Sequence, residues 1–468
     1  MDARFFAHNA HLEDPDAFSV LDPHLRLLAR QPLIHHPPLL EHLPVAKPGI
    51  YSIAGGRQIG KTTLLKQWMQ RLLTRENIPP EDIAFFTGEL VDDHHTLVRL
   101  LSSHLEGRGP TQYVLLDDVS CISGWDKGVK FLADAGLLEN TVLILTGSDT
   151  AFLQEARMRF PGRRGREAVV DFHLYPLTFR EGVRLKGALD PEEAALLDDR
   201  PQRASQDLLK RLFHLFDAYL AHGGFLTAMN DLAREGTVSP ATSAVYSDWI
   251  RGDVLKRGKQ EPYLREVLAA VVKRLGSQVS WTNLAQELSI DHPKTVSDYA
   301  ALLASMDVLI IQAAVLEDKR VEAPKKPRKI HFADPFIFHA IRHWLEPVKR
   351  PYEEQIQPTV ADPAGSSRLA EAAAVAHVRR RHPCYYIKAK GEVDIAFVEN
   401  DTLYPVEVKW ARQMRPKDLK QVMKYPQARI WTRQASFQPL HGVPAEPLPV
   451  ALWRFDSRSC SISAAPGP

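Results

Sequence analysis

Hydrophobic positions along this chain change period several times, and the changes mark its elements. Up to about residue 45 the sequence is rich in His, Pro and Leu (LDPHLRLLARQPLIHHPPLLEHLP), which predicts a short helix followed by an extended entry into a domain. From Ile50 the pattern tightens. IYSIAGG reads as a short apolar strand, RQIGK as a loop, and TTLLKQWMQRLL as a helix whose Leu64, Leu65, Trp68 and Leu72 recur at helical spacing. The runs IAFFTG, YVLLDDV and TVLILTGS alternate with helical stretches, so an α/β sheet of mainly parallel strands is expected. From about 187 to 260, alternating apolar and charged residues predict helix throughout. No internal repeat is evident.

Beyond this, WTNLAQEL and PKTVSDYAALLASM predict two helices joined by the turn Ser289 to His292, with Val296, Tyr299, Leu303 and Met306 forming one inward face. VLIIQAAVLEDKR and KIHFAD then predict a β-hairpin whose tip, Lys319 to Lys329, carries six cations. That order is a winged helix. In a DNA complex the first turn of its second helix (Lys294, Thr295, Ser297) would approach the major groove, and Lys325 and Lys326 of the wing would contact phosphate. Winged helices also serve as packing or oligomerisation modules, and charged hairpins can simply be solvated. A proline-bearing linker (EPVKRPYEEQIQPTVADPAGSS) leads to a third region. There RLAEAAAVAHVRRR predicts an amphipathic helix, and YYIKAKGEVDIAFVEN and DTLYPVEVKWA predict two strands turning over Glu399-Asn400-Asp401.

The 468 residues predict roughly three domains at about 150 residues each. With 44% hydrophobic and 25% charged residues, disordered, collagenous and coiled-coil readings fall away. Prolines (34) outnumber glycines (25), which suggests punctuated connections. The net charge of +2 identifies no partner, so nucleic-acid contact would have to come from local basic patches. Cys121, Cys384 and Cys460 are widely spaced and contain no CxxC pair, which argues against a disulfide framework and a zinc site and fits a reducing compartment. With no apolar run of about 18 residues and an acidic start unlike a signal peptide, a cytoplasmic protein without a membrane partner is expected.

The strongest chemical signal is Gly55-Gly-Arg-Gln-Ile-Gly60-Lys61-Thr62, a complete G-x-x-x-x-G-K-[ST] between a strand and a helix. Glycines let backbone N–H groups turn toward phosphate, the helix N-terminus faces the same charge, Lys61 neutralises it, and Thr62 with Thr63 opens the helix. Thr62 would ligate Mg²⁺. YVLLDDV ends in Asp117, suited to the Mg²⁺ shell, and Asp118, suited to orienting the attacking water. TVLILTGS ends in Thr146, Gly147 and Ser148, and Ser148 is the residue singled out to sense the γ-phosphate. The expected cofactors are ATP and Mg²⁺. His35, His36 and His42 lack partners at ligand spacing and read as surface or packing residues, and Asp92-Asp-His-His95 reads as a helix cap.

GGRQIGKTT, LLDDVSCISGWDKGVKFLAD, LTGS, FPGRRG, YPLTFREGV and the HGGF segment at Gly223 and Gly224 resemble, in this order and spacing, the archaeal-type AAA-family ATPases that also occur in bacteria. The resemblance covers roughly residues 20 to 235. It implies a P-loop fold in which another strand separates the Walker A and B strands, with a helical lid. It also implies that Arg163 or Arg164 acts as an arginine finger or nucleotide sensor; the residues alone equally allow a solvated turn or a DNA-phosphate contact. The family has Asp-Glu at the end of the Walker B strand. Here Asp118 is one methylene shorter, so slow hydrolysis or a water bridging a longer gap is expected.

In the third region Asp394 lies on one strand, and Glu407 and Lys409, two apart, share a face of the next. This arrangement, with Glu371 on the preceding helix, resembles the PD-(D/E)XK nucleases, including their archaeal Holliday-junction resolvase branch. The resemblance implies that Asp394 and Glu407 hold Mg²⁺ or Mn²⁺, Glu371 completes the shell, Lys409 positions the water, and Gln421 or Lys424 from a following helix lies near the scissile phosphate.

The expected organisation is an α/β protein: an N-terminal segment (1–45), a P-loop AAA-type ATPase core (46–186), a helical lid (187–260), a winged helix (261–345), a linker (346–366), a PD-(D/E)XK nuclease-like α/β domain (367–456) and a tail (457–468). The leading expectation is an ATP-dependent, self-associating protein that acts on DNA, including branched or junction DNA. The rival is a nucleotide-gated switch that binds DNA or protein without cutting.

Overall fold

The apolar runs near the N-terminus become a five-stranded parallel sheet in the computed structural model, which describes residues 2–107, 111–148, 152, 158, 160, 162–165, 167–410 and 419–457. The chain divides between Tyr175 and Pro176 into two compact units. Unit one contains β1 (Gly49–Ala54), α1 (Lys61–Thr74), β2 (Ile83–Thr87), α2 (His94–Leu105), β3 (Gln112–Asp117), α3 (Trp125–Asp134), β4 (Thr141–Gly147) and β5 (Asp171–His173). The strand order is β2-β3-β4-β1-β5, so β4 lies between β1 and β3, as the family resemblance implies. β1 to β4 are largely apolar because helices and the N-terminal segment cover both faces of the sheet, whereas β5 is Asp171-Phe172-His173.

The N-terminal segment has the expected short helix, Pro23–Leu28, and residues 31–37 beyond it are neither helix nor strand, but further turns precede that helix. The segment forms short 3₁₀ and α turns (Ala3–His8, Ala10–Leu12, Phe18–Leu21, Pro23–Leu28) that bury Phe5, Phe18 and Leu25. Its anchor is Lys66 of α1, which is fully buried, 3.1 Å from Asp22 and 3.8 Å from the centroid of the Phe85 ring. His35 and His36 meet the Gln67 side chain rather than forming a metal site.

Unit two begins with helices α4 (Phe179–Leu185), α5 (Pro191–Asp199), α6 (Gln206–His222), α7 (Leu226–Glu235), α8 (Pro240–Lys256) and α9 (Glu261–Lys273). β6 (Gln278–Val279), α10 (Trp281–Glu287), α11 (Pro293–Ser305), β7 (Leu309–Gln312), β8 (Val315–Leu316), β9 (Val321–Glu322), β10 (Arg328–Phe332) and α12 (Pro335–Leu345) follow. β6, β10 and β7 form an antiparallel sheet in that order, with β8 and β9 as a separate pair. Val296, Tyr299, Leu303 and Met306 are all buried, as their spacing predicts.

The third region contains α13 (Pro363–Arg379), β11 (Cys384–Lys388), β12 (Glu392–Glu399), β13 (Thr402–Lys409), β14 (Arg429–Thr432), β15 (Ala445–Pro447) and α14 (Leu448–Ser457). These strands form one sheet in chain order, antiparallel from β11 to β13 and parallel from β13 to β15. Two expectations need correction. YYIKAKGEVDIAFVEN is not one strand: it turns back at Ala389 to Gly391 and makes β11 and β12. Nor is 346–366 an open linker, because Tyr352–Ile356 and Gln357–Ala361 are helical and Ile356 is buried. Prolines there start helical turns, where a missing N–H costs nothing. The largest apolar cluster of unit two runs from Phe179 to Trp453 and draws on all its regions, with smaller clusters around Ile387 and Ile430 and around Tyr386.

Candidate nucleotide site and carboxylate cluster

Gly60 has φ 98° and forms the N-cap of α1, a left-handed corner that a side chain would strain. At Gly55 an added Cβ would sit 2.5 Å from the Leu174 carbonyl oxygen, so glycine is required there by close approach. The loop therefore turns tightly into the helix N-terminus. The Lys61 ammonium curls over it and donates to the carbonyls of Gly55 (2.8 Å) and Gly56 (2.9 Å).

Because β1, β4 and β3 are adjacent and parallel, their C-terminal ends converge beside this loop. Thr62 Oγ1 donates to Asp117 Oδ2 at 2.6 Å, and Thr146 Oγ1 donates to Asp117 Oδ1 at 2.6 Å. Thr146 also accepts from the Asp118 backbone N–H at 2.8 Å. Asp118 lies in the left-handed region (φ 49°), and its carboxylate accepts from Ser120 Oγ at 2.6 Å and lies 3.6 Å from Arg57. Lys61, Thr62, Asp117 and Asp118 thus come together as expected, with Thr63 one position further into α1. From the end of β4, Thr146 is the hydroxyl that meets the Asp117 carboxylate, and Ser148, singled out to sense the γ-phosphate, is buried two residues further on. Arg57 was missed, since a variable position inside a P-loop carries no signal of its own.

Arg163 and Arg164 do not join this site within the chain. Arg164 pairs with Ile50, at the start of β1, and binds Asp171 (2.5 Å), Ser52 Oγ (2.8 Å) and the Val170 carbonyl (3.1 Å). Arg163 pairs with Asp134 at the end of α3. Both arginines thus have carboxylate partners in unit one other than Asp117 and Asp118.

In unit two, Lys294 at the start of α11 is exposed, Thr295 and Ser297 are half-buried, and Ser297 Oγ donates to the Lys294 carbonyl. Lys325 is exposed. Lys326 instead donates to the Lys388 carbonyl at 2.9 Å, so its charge is directed at the third region rather than outward. Lys329 is a larger departure: expected at a solvated tip, it is 1% exposed.

The carboxylates named from sequence do converge. Asp394 Oδ2 accepts from the Val408 backbone N–H at 3.0 Å, Glu407 Oε2 accepts from the Asp394 backbone N–H at 3.4 Å, and Lys409 Nζ lies 2.5 Å from Glu407 Oε1. Glu371 from α13 faces the same point. The sequence did not suggest Glu392 or Lys329 there, yet Lys329 Nζ lies 2.6 Å from Glu371, 2.6 Å from Glu392 and 3.3 Å from Asp394. Burial and the neighbouring Asp394 push the Glu371 and Glu407 carboxyls above the ordinary range. Burial opposes charge on Lys329, but the three carboxylates outweigh it and hold the ammonium protonated. Gln421 lies beside Gly391 and accepts from Lys424 Nζ at 2.8 Å, from a 3₁₀ turn rather than a full helix. Lys390, Lys420 and Lys424 are exposed on neighbouring loops.

The AAA domain family matches residues 47–183. Unit one therefore contains a P-loop AAA-type ATPase core. That family implies ATP and usually Mg²⁺; the glycine loop with Lys61 fits the first and the Thr62–Asp117 pair the second. A family described only as a domain of unknown function (DUF8612) matches residues 213–347. An uncharacterized protein of Haemophilus influenzae is 24% identical over 262 residues, covering 54% of this chain and 59% of that protein's length. Among solved structures, the Walker-type ATPase of Pyrococcus abyssi aligns at 14% identity over 63% of this chain and 91% of its own, with a TM-score of 0.40. The ORC1 protein of Aeropyrum pernix in complex with DNA aligns at 13% identity over 74% and 94%, with a TM-score of 0.31. The RuvB Holliday junction branch migration motor of Thermotoga maritima aligns at 15% identity over 56% and 81%, with a TM-score of 0.25. No described helix is long and apolar enough to cross a membrane.

Proposed function

We propose that this protein is an ATP-dependent, self-associating DNA-binding protein, with branched or junction DNA among its substrates, in which the nucleotide state of unit one governs how unit two holds DNA. The observation that carries the ATP half is the chain of hydrogen bonds Thr62–Asp117–Thr146–Asp118 beside the phosphate loop. Backbone N–H groups of the loop and the start of α1 bind the phosphates, and Lys61 exchanges its carbonyl partners for phosphate oxygens. Thr62 and Asp117 would hold Mg²⁺, which neutralises charge building on the phosphates. Thr146 fixes the Asp117 carboxylate and the Asp118 backbone, and Asp118 orients the attacking water while Arg57 and Ser120 restrain it.

The DNA half rests on α10 and α11 read as a helix-turn-helix with Lys294 exposed at its leading turn. It rests also on the cations Lys325, Lys390, Lys420 and Lys424, exposed on loops of the winged-helix and third regions. The region from α13 to α14 is read as a PD-(D/E)XK nuclease-like domain on the strength of Glu371, Asp394, Glu407 and Lys409. The reading without cleavage is favoured by one observation, the Lys329 ammonium among those carboxylates.

The test is gel-shift binding of a four-way junction and a linear duplex with ATP, ADP and no nucleotide, alongside ATP hydrolysis, in the unsubstituted chain and in Lys61→Ala. Nucleotide-dependent DNA binding that is lost in Lys61→Ala is expected. DNA binding indifferent to nucleotide, or none, would overturn the proposal.

A further inference from the structure

The carboxylate cluster of the third region already contains a cation. An ammonium has three N–H donors, and the three nearest carboxylates to Lys329 come one to each: Glu371 and Glu392 at 2.6 Å and Asp394 at 3.3 Å. A buried charge persists only where its partners are complete, and here they are. Among the described residues, no group of three or more His, Cys, Asp or Glu side chains is arranged to hold a metal ion. The cluster therefore does not fit the divalent cation that the nuclease resemblance implies, because an ammonium fills the point where its carboxylates converge.

This lysine is delivered by backbone, not by a swinging arm. On β10, Lys329 and His331 share a face by strand alternation. His331 Nε2 donates to Gln312 Oε1 at 3.0 Å, since the Gln312 amide nitrogen is already donating to the carbonyls of Tyr385 and Asp394, both at 2.9 Å. Tyr386 Oη donates to the Pro327 carbonyl at 2.6 Å, and Lys326 donates to that of Lys388. From β6, Gln278 bridges Glu392 and Lys388. The sheet β6-β10-β7 is thus fastened along β11 and β12 on both sides of Lys329.

We propose that Lys329 is a built-in cation that takes the place of a divalent metal ion among Glu371, Glu392 and Asp394, so that the third region in this arrangement takes up no metal and holds nucleic acid without cutting it. This rests on reading the region from α13 to α14 as nuclease-like. Four carboxylates, Glu371, Glu392, Asp394 and Glu407, face two ammonium groups, Lys329 and Lys409, so removing the Lys329 charge leaves a strongly acidic pocket. Metal binding then depends on withdrawing β10 from the cluster.

The test is Mn²⁺ binding followed by electron paramagnetic resonance on the full chain without nucleotide, comparing the unsubstituted protein with Asp394→Asn, Lys329→Met and the double variant. The difference made by Asp394→Asn isolates this cluster from the phosphate-loop site. No Asp394-dependent Mn²⁺ in the unsubstituted chain is expected, with binding at least about tenfold tighter in Lys329→Met and lost again in the double variant. Asp394-dependent Mn²⁺ in the unsubstituted chain would overturn the proposal, as would a folded Lys329→Met that binds none. Should Lys329→Met fail to fold, the unsubstituted chain against Asp394→Asn decides alone. Junction-DNA binding by the unsubstituted chain, scored in parallel, bears on the function proposed above and not on the lysine.

Discussion

Thr146 and Asp117, at the ends of neighbouring strands, are joined by a 2.6 Å hydrogen bond that leaves the other oxygen of Asp117 to Thr62. The Asp117 carboxylate is thereby fixed from both sides before any nucleotide arrives. Removing the Thr146 hydroxyl frees one oxygen and unpairs the Asp118 backbone N–H. A hydrogen bond to a charged group contributes about 1.5–3 kcal/mol, so Thr146→Ala is expected to lower kcat for ATP hydrolysis roughly tenfold to a hundredfold. Equilibrium binding of a fluorescent ATP analogue should change far less. Equal losses in both would show that the hydroxyl supports the loop and not the reacting end of the nucleotide.

Asp118 sits at φ 49°, a conformation that Asn tolerates nearly as well as Asp. Asp118→Asn should therefore leave the backbone and ATP binding intact while removing the charge that orients water. We expect hydrolysis to fall by about two orders of magnitude, within the range of a lost general acid–base group. Single-turnover measurement separates this from slow product release. Unchanged turnover would shift water positioning to another group.

The phosphate site was legible in the sequence because its chemistry is local: glycines, Lys61 and Thr62 lie within eight residues, and the apolar run before Asp117 marks the facing strand. Glu407 and Lys409 were legible through strand alternation, and Asp394 through the resemblance that joins it to them. Lys329 was not. Its partners Glu371 and Asp394 lie 42 and 65 residues away, and a lysine in a cationic stretch reads as solvated. The partners of Arg164 were hidden for a related reason. A Gly-flanked arginine pair fits a finger as well as a turn, and its contacts with Asp171 and Ser52 show only in the fold. Prolines between 346 and 366 suggested a linker because their value at helix starts depends on which residues follow.

Gly223, at φ 57° and ψ −151°, ends α6 in a conformation open essentially to glycine. An added Cβ there would meet Asp334 Oδ1 at 1.7 Å. Asp334 cannot easily move, because it accepts from the backbone N–H groups of Gly224 (2.8 Å) and Phe336 (2.7 Å). Backbone strain and the displaced buried carboxylate together make Gly223→Ala cost at least about 3 kcal/mol. Thermal unfolding followed by circular dichroism should show a clear fall in midpoint. A midpoint within a degree of the unsubstituted protein would contradict the close approach.

His339 tests burial through pH. Its Nε2 donates to the Leu220 carbonyl at 2.9 Å, while Nδ1, buried, has no hydrogen-bond partner among the described residues. Burial, with help from the nearby Arg342, lowers its pKa to about 4 from the ordinary 6.5. Below pH 6.5 the unfolded chain takes up a proton that the folded chain refuses, so the folded state loses stability as pH falls. The loss grows by about 1.4 kcal/mol per pH unit and is complete near pH 4, at roughly 3 kcal/mol. Gln at this position can still donate to Leu220 and does not titrate. His339→Gln should therefore be less stable than or equal to the unsubstituted chain at pH 7.5 in urea unfolding, and should gain on it steadily between pH 6.5 and 4. Parallel pH curves for the two proteins would mean that the folded state accommodates a charged imidazole there, against the packing of α12 on α6.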